Sequence, residues 1–349
     1  MSATHEARDE PRDPPTLLAL GANQPADRFY RGGARIAAFR GEPGQGPRTP
    51  EDWVASTTTV RGHRVLGLTG LPDRSLLVDA VEQDPPGWLG PAHVRAFGSD
   101  TRLLVKLLDS GQRLPVHAHP DGAFARDHLG ERHGKAEAWY VLTAGEVFLG
   151  LREDVPLPRL QGLVDDQDVE GLLALMHRVP VEPQQSVYVP PGVLHAIGEG
   201  VFLVEVQEPE DLSILLEWRD FALDGRADGH LGLGFDVALS AVETRGRTEA
   251  EVAGLVGGGP HGDVLAAEAG EFFRLERVAV DGEAHVDRGF AVLITTDGTL
   301  TVAADDGTTL DAARGATLLA PFAAGDLRVR GRGDLLVARP PRPRPSPSS

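Results

Sequence analysis

The chain has 349 residues, 41% of them hydrophobic and 25% charged, which is the composition of an ordinary globular protein long enough for two domains. Its formal net charge of -18 disfavours nucleic acid and anionic membrane surfaces as partners, and no apolar run approaches the roughly 18 residues that span a bilayer. The chain contains no cysteine, which excludes disulfides, thiolate nucleophiles and thiolate metal ligands.

Both ends of the chain are polar and rich in proline. Residues 1–15 and 340–349 have the composition of disordered tails. The N-terminal stretch also lacks the positive and then apolar pattern of a secretory signal. We therefore expect a cytoplasmic protein.

Between the ends, short apolar runs alternate with Gly, Pro and Asp. The runs that predict β-strands in the first part of the chain are SLLVDAV, RLLVKLLD, AWYVLTAGEVFLGL, SVYVPPG, VFLVEVQ and LSILLEW. Their spacing favours antiparallel strands in a sandwich or barrel. Helical periodicity interrupts them over Asp165–Val179, where Asp165 is the candidate N-cap.

The last third of the chain repeats this pattern after a break. The stretch HLGLGFDVALSAVE predicts a short helix, and GLVGGGPHGD predicts a loop. A second set of strands follows in FFRLERVAV, FAVLITTDGTLTVAA, ATLLAPFAAGDLRVRG and DLLVARP, with TTDGTL as a hairpin turn. The sequence thus predicts a second β module.

Two stretches that carry histidine give the clearest chemical signal. In GQRLPVHAHPDG, His117 and His119 are two residues apart, so they share one face of a strand. In VPPGVLHAIGEG, His195 follows a turn, and Glu137 begins the strand in GKAEAWYV. Imidazoles with one carboxylate suit a divalent transition metal such as Zn²⁺, with Mn²⁺, Fe²⁺, Co²⁺ or Ni²⁺ as alternatives.

The spacing within these stretches resembles that of the cupins. GQRLPVHAH, which ends at His119, matches the first cupin motif, and PPGVLH, which ends at His195, matches the core of the second. In cupins the two motifs lie on neighbouring strands and bring their histidines to one metal. The resemblance implies a mainly β fold with two cupin-like β-barrel or jelly-roll modules and a helical insert.

We expect the following domain organisation from these patterns. Residues 16–224 form a metal-binding catalytic cupin domain, with the helical insert at about 157–178. Residues 225–262 form a helix and linker, and residues 263–339 form a C-terminal cupin-like domain. His285 is the only histidine in the sequence after this loop, so we assign the chemistry to the first domain.

From about Leu17 to Arg339 the chain resembles the type I mannose-6-phosphate isomerases, a branch of the cupins. The stretches that carry the resemblance are RGGARIAAF, PEDWVAST, LLVKLLDSGQRLPVHAHPD, GKAEAWYVL, VYVPPGVLHAIGEGVFLVEVQ and GLVGGGPHGDVLAAEAGEFFRLERVAV. The resemblance implies one zinc ion held by His117, His119, Glu137 and His195. It also implies a small-molecule sugar or sugar phosphate as partner, and we expect a monomer or homodimer.

The reaction implied by the resemblance is aldose–ketose interconversion, mannose 6-phosphate to fructose 6-phosphate, with a proton moved between C1 and C2 through an enediol. Lys106, Lys135 and Glu205 match positions that line the family's active-site cleft. Glu205 is the favoured base or relay, because a carboxylate accepts a proton without a prior pKa shift. The two lysines are expected to stabilise negative oxygens.

Three positions depart from the family pattern. His117 stands where the family usually has Gln, Pro115 where it has a Ser that contributes to phosphate binding, and Leu215 where it has Arg. The last two changes remove two hydrogen bonds to a phosphate. An unphosphorylated or C6-modified sugar is therefore an alternative substrate. Arg219, four residues beyond Leu215, is a candidate substrate-binding replacement.

Two other functions are compatible with the same residues. A cupin oxygenase also binds iron or manganese with three His and one carboxylate, and oxygen consumption would identify it. A non-catalytic sugar-binding or regulatory cupin would keep the metal as a structural element. In that case Lys135 and Glu205 could be replaced without loss of function.

Overall fold

The computed structural model describes residues 14–343. The predicted disordered tails, residues 1–15 and 340–349, lie outside this range except for Pro14, Pro15 and residues 340–343, and they stay predictions. Within the range, no helix has both the length and the apolar composition needed to cross a bilayer.

Strands make up most of the regular structure. The strands of residues 14–343 are β1 (Leu18–Leu20), β2 (Glu51–Val54), β3 (Leu104–Asp109), β4 (His117–Ala118), β5 (Glu137–Thr143), β6 (Gly145–Leu151), β7 (Met176–Val181), β8 (Gln185–Val189), β9 (His195–Ile197), β10 (Phe202–Gln207), β11 (Ile214–Leu215), β12 (Val256–Gly258), β13 (Gly262–Asp263), β14 (Arg274–Val286), β15 (Ala291–Ala304), β16 (Thr309–Ala313), β17 (Thr317–Ala320) and β18 (Leu327–Arg339).

The helices are short and lie between the strands. The α-helices are α1 (Ala34–Arg40), α2 (Leu77–Gln83), α3 (Pro85–Leu89), α4 (Pro91–Phe97), α5 (Gly122–Phe124), α6 (Leu157–Asp166), α7 (Val169–Ala174), α8 (Gly225–Asp228), α9 (Phe235–Ala238) and α10 (Glu249–Leu255). A π-helical turn spans Ala125–Leu129, and 3₁₀ turns span Leu239–Ala241, Ala267–Glu271 and Phe322–Ala324.

The described strands form three antiparallel sheets. A six-stranded sheet has the order β12-β8-β5-β10-β3-β2, and a five-stranded sheet has the order β11-β4-β9-β6-β7. A seven-stranded sheet has the order β1-β17-β15-β18-β14-β13, with β16 paired to β15. The prediction of a mainly β fold with cupin-like modules and a helical insert is confirmed.

Two strands cross the domain boundaries that the sequence predicts. β1 pairs with β17, so the start of the chain completes the C-terminal sheet. β12 pairs with β8 and extends the six-stranded sheet of the first module. We therefore keep the modules 16–224 and 263–339 as a proposal, with β1 assigned to the second module and β12 to the first.

The helical insert differs from the single helix predicted over Asp165–Val179. α6 ends at Asp166, Gln167 takes a left-handed conformation with φ of 49°, and α7 follows. The side chain of Asp168, not of Asp165, caps this second helix by accepting a hydrogen bond from the Gly171 N–H. The helical prediction was wrong beyond Ala174, because Met176 begins β7.

The predicted strand SLLVDAV is also wrong, since it lies largely in α2. Its buried side chains, Leu77 and Val81, are four residues apart and share one helix face. A short apolar run of this kind fits either element, and only packing decides between them.

The predicted hairpin turn TTDGTL is wrong for a different reason. These residues lie inside β15, which pairs with β18 on both sides of them, with a shift of register between Thr295 and Asp297. Gly298 has φ of 76°, and a Cβ atom there would lie 2.1 Å from the carbonyl oxygen of Arg332. The Asp-Gly pair therefore lies inside a long strand, next to a bulge at Thr296, instead of forming a turn.

This close approach gives a testable stability difference. Gly298→Ala is expected to lower the free energy of unfolding by about 1 kcal/mol more than Gly307→Ala, because crowding adds to the backbone strain. Gly307 is the matched control, since its φ is also positive, at 94°, but nothing lies within 4 Å of an added Cβ. Denaturant titration of the two variants measures the difference, and equal losses would contradict the crowding at Gly298.

Candidate metal centre

The three predicted histidine ligands lie on one face of the five-stranded sheet. His117 in β4 pairs directly with His195 in β9, and His119 follows β4. The residues that alternate with them are apolar and pack against the helices of the insert: Val116, Ala118, Leu194 and Ala196. The apolar face is thus covered by α6 and α7, and the imidazoles are directed to the other side.

The imidazoles form one compact cluster. The ring centroids of His117 and His195 are 4.0 Å apart, those of His119 and His195 4.8 Å, and those of His117 and His119 5.0 Å. One ligating nitrogen from each ring lies within 4.8 Å of the others, and all three residues are buried. This spacing allows the three to share one ion.

Each imidazole contacts a backbone carbonyl through Nδ1. The contacts are His117 with Pro115 O at 2.8 Å, His119 with Leu212 O at 2.6 Å and His195 with Val193 O at 2.9 Å. Because a carbonyl only accepts, the hydrogen is on Nδ1 and the lone pair of Nε2 remains available. Contacts of this kind orient histidine ligands in metal sites.

Glu137 brings a carboxylate to the same cluster from β5 of the opposite sheet. Its Oε2 lies 3.0 Å from His119 Nε2, and its Oε1 lies 3.2 Å from His195 Nε2. The indole N–H of Trp139 donates to Oε1 at 3.1 Å. The Lys135 ammonium lies 2.8 Å from Glu137 Oε2 and 2.9 Å from His119 Nε2. Glu137 Oε2 and His119 Nε2, which would bind a metal ion, therefore already lie beside one positively charged group.

The protonation states also fit a metal. Burial, followed by the charge of Lys135, lowers the pKa of His119 to about 3, and burial with the neighbouring imidazoles lowers the pKa of His117 well below its usual value. Burial acts to raise the pKa of Glu137, but Lys135 and the imidazoles lower it well below the usual range. Neutral imidazoles and an anionic carboxylate are the forms that bind metals.

The surroundings of His195 show most clearly whether this cluster fits a metal ion. Its Nε2 is buried and has no hydrogen-bond partner among residues 14–343. A buried nitrogen lone pair without a hydrogen-bond donor destabilises the fold unless it has another partner, such as a metal ion. Three nitrogen donors and one oxygen donor suit a divalent transition ion, so the residues present fit a bound metal.

A cleft of about 530 Å³ opens beside the cluster, and His117, Lys135 and Glu137 line it. Lys106 in β3 pairs in register with Glu205 in β10, and both side chains also line the cleft. Lys106 Nζ lies 3.2 Å from Glu205 Oε1. Burial and the charge of Glu137 raise the pKa of Glu205, against the lowering effect of the two lysines.

Comparison with known proteins finds relatives that are all named as the same kind of enzyme. A mannose-6-phosphate isomerase of Streptococcus mutans is 38% identical over 143 residues, which cover 39% of this chain and 42% of that protein. A mannose-6-phosphate isomerase of Bacillus subtilis is 33% identical over 117 residues, which cover 33% of this chain and 36% of that protein. The matched segments span less than half the length of these two relatives.

Structural comparison extends the likeness to nearly the whole chain. The crystal structure of the mannose 6-phosphate isomerase of Bacillus subtilis matches with a TM-score of 0.69 at 21% identity, over 93% of this chain and 100% of that one. No family model matches the sequence. The chain therefore resembles mannose-6-phosphate isomerases in sequence over part of its length and in fold over nearly all of it.

The family resemblance did not identify one acidic residue that lines the cleft, Glu51. It accepts hydrogen bonds from Tyr30 and from the indole of Trp53, both at 2.6 Å, and it pairs with Arg28 at 3.5 Å and Lys106 at 3.6 Å. Burial acts to raise the pKa of Glu51, but Arg28 and Lys106 lower it far below the usual range. The only sequence signal was that Glu51 and Trp53 alternate in PEDWVAST, which puts both on one strand face.

The structure does not bring Arg219 to the cleft. The chain turns away after β11, and the guanidinium of Arg219 donates to the backbone carbonyl of Gln167 in the insert. Pro115 and Leu215, where this chain departs from the mannose-6-phosphate isomerase pattern, do line the cleft. The expectation that Arg219 replaces the missing arginine is therefore corrected.

Proposed function

We propose that this protein is a metal-dependent aldose–ketose isomerase that interconverts mannose 6-phosphate and fructose 6-phosphate. The observation that supports this best is that Lys106, Lys135 and Glu205 line the same cleft as the cluster of imidazoles and Glu137. Relatives named mannose-6-phosphate isomerase support the same substrate.

We assign His117, His119, Glu137 and His195 as the ligands of one divalent ion, with Zn²⁺ as the first choice and Mn²⁺, Fe²⁺, Co²⁺ or Ni²⁺ as alternatives. When bound, such an ion acts as a Lewis acid on the carbonyl and adjacent hydroxyl of an open-chain sugar. The carbonyls that contact each Nδ1 keep the imidazoles oriented for this task.

Glu205 is the proposed base. It takes the proton from C2 of the aldose and returns it to C1, so that the same carboxylate serves both carbon atoms, while the hydroxyl proton of O2 passes to O1. Its buried position beside Lys106 and its raised pKa favour this role, because a carboxylate with a higher pKa is a stronger base. A buried base also keeps the transferred proton away from bulk water.

Lys106 and Lys135 are the proposed partners of the negative enediolate oxygens. Burial acts to lower the pKa of Lys106, but Glu51 and Glu205 raise it, so its ammonium stays charged at neutral pH. Fixed positive charge near a developing oxyanion is usually the largest contribution to catalysis of this type.

A second candidate substrate is an unphosphorylated or C6-modified sugar. Pro115 and Leu215 line the cleft and offer neither a hydroxyl nor a guanidinium. Both substrates use the same metal ligands and the same base, so they differ only in what binds C6.

A substrate panel on metal-loaded protein tests the proposal. We expect isomerisation of mannose 6-phosphate, measured as fructose 6-phosphate formed, that is lost on chelation and restored by Zn²⁺, without oxygen consumption. Mannose, lyxose, ribose and C6-modified mannose are the comparison substrates. If no sugar in the panel is isomerised, the proposed isomerase function is wrong.

A further inference from the structure

A phosphorylated substrate requires a cation in the cleft that is free to bind C6 phosphate, a requirement that rests on the proposed function. Pro115 has no N–H and Leu215 is apolar, so neither can donate to phosphate. The lysine and arginine side chains that line the cleft within residues 14–343 are Arg28, Arg61, Lys106 and Lys135.

Two of these cations are neutralised by carboxylates of the cleft itself. Arg28 pairs with Glu51 at 3.5 Å and with Asp211 at 3.4 Å, and only 11% of its side chain is exposed. Lys106 is buried between Glu51 and Glu205. Removing a cation from such a buried pair leaves an uncompensated charge, so these two stay in place.

The third, Lys135, lies at the metal ligands. Its ammonium is 2.8 Å from Glu137 Oε2, and only 6% of its side chain is exposed. This position is at the reacting end of the substrate, where C1 and C2 must lie. Lys135 is therefore not placed to bind a phosphate four carbons away.

Arg61 differs from the other three in its exposure and its partner. Its side chain is 38% exposed, and it pairs at 3.3 Å with Glu131, whose side chain is 37% exposed and does not line the cleft. A second guanidinium contact, to Leu231 O, is long at 3.4 Å. Half-exposed single ion pairs contribute little to stability, so this guanidinium can change partners.

The backbone of Arg61 is fixed while its side chain is not. Its N–H donates to the Asp211 carboxylate at 3.1 Å, which holds the loop against the cleft wall. Arg61 also lines an adjoining polar groove with Thr57, Thr58 and Glu131. Because the metal ligands are buried and Arg61 is half-exposed, Arg61 lies toward the mouth of the cleft, where C6 of a bound sugar would extend.

We propose that Arg61 is the phosphate-binding residue, and that its guanidinium exchanges the Glu131 carboxylate for the C6 phosphate of the substrate. The planar guanidinium donates two parallel hydrogen bonds to a phosphate, which carries more charge than the carboxylate that it displaces. Arg61, in the loop after β2, would thus provide the guanidinium that Leu215 in β11 lacks.

Binding of non-isomerisable ligands tests the inference without relying on turnover. Mannitol 6-phosphate and mannitol, which lack the carbonyl group, are titrated by calorimetry into metal-loaded wild type and Arg61→Gln. We expect the variant to bind mannitol 6-phosphate about ten- to hundredfold more weakly, since it loses charge-assisted hydrogen bonds, and mannitol equally well. The KM for mannose 6-phosphate should rise by a similar factor, more than kcat falls.

Two further variants separate the exchange from a general effect of charge. Arg126→Gln is the matched control, because Arg126 is an exposed arginine that pairs with Asp127 and does not line the cleft. It should leave both affinities unchanged. Glu131→Gln removes the competing carboxylate and should bind mannitol 6-phosphate about threefold or more tightly, whereas a purely structural role of the pair predicts weaker binding.

The outcomes distinguish this inference from the proposed function. Unchanged affinity of Arg61→Gln for mannitol 6-phosphate, or an equal loss for mannitol, overturns the assignment of Arg61. Wild-type protein that binds mannitol as tightly as mannitol 6-phosphate overturns it too. Failure of wild type to isomerise mannose 6-phosphate counts against the proposed function alone, since the binding comparison still decides the role of Arg61.

Discussion

Glu205→Gln is expected to lower kcat for mannose 6-phosphate isomerisation by about 10² to 10⁴, the usual contribution of a positioned base. Glutamine keeps the size and the position in β10 but cannot accept a proton from C2. Glu205 is buried, lines the cleft and lies 3.2 Å from the Lys106 ammonium, so no exposed group can easily substitute for it. The measurement is kcat for the formation of fructose 6-phosphate from mannose 6-phosphate.

The neighbouring Glu208 provides a matched control for that experiment. Its carboxylate is also buried and has a pKa raised by burial, but it does not line the cleft. It accepts a hydrogen bond from the Ala136 N–H at 3.0 Å, which a glutamine oxygen can replace. Glu208→Gln should therefore keep kcat within about tenfold, since it keeps an acceptor of similar strength. A Glu205→Gln enzyme as active as this control would exclude Glu205 as the base.

The histidine cluster could be anticipated because its signals are local. His117 and His119 are two residues apart, and residues with this spacing on a strand share one face regardless of the rest of the chain. His117 and His195 are far apart in sequence, but the resemblance to the two cupin motifs predicted their pairing on neighbouring strands, and β4 and β9 do pair.

The charge network around Glu51 could not be anticipated in the same way. It depends on the register of β2 against β3 and of β3 against β10, which pairs Trp53 with Lys106 and Lys106 with Glu205. Strand register is fixed by packing across the sheet and not by local propensity. The sequence therefore shows the residues but not their partners.

Proximity along the chain was a poor guide to the missing phosphate contact. Arg219 is four residues from Leu215, yet β11 ends at Leu215 and the chain then crosses over the helical insert. Arg61 is more than 150 positions earlier and lies in an irregular loop after β2 without any periodicity. Loops of this kind are placed by tertiary contacts, here by the hydrogen bond from Arg61 N–H to Asp211.

His195→Ala is expected to weaken metal binding by more than about 100-fold, because even loss of a residue that only supports a ligand weakens binding by about 10- to 100-fold. His195 is fully buried, its Nδ1 is held by Val193 O, and its Nε2 lacks a hydrogen-bond partner among the described residues. Metal content by elemental analysis and the Kd from competition with a chelator measure the effect.

His285→Ala is the matched control, since His285 is an exposed histidine of the C-terminal sheet. It should retain one metal ion per chain. Because a ligand that binds only the folded state stabilises it by an amount that grows with the logarithm of its affinity, excess Zn²⁺ should raise Tm of wild type and of His285→Ala by more than that of His195→Ala. Stoichiometric metal in His195→Ala, with an unaltered Zn²⁺ shift in Tm, would exclude His195 as a ligand.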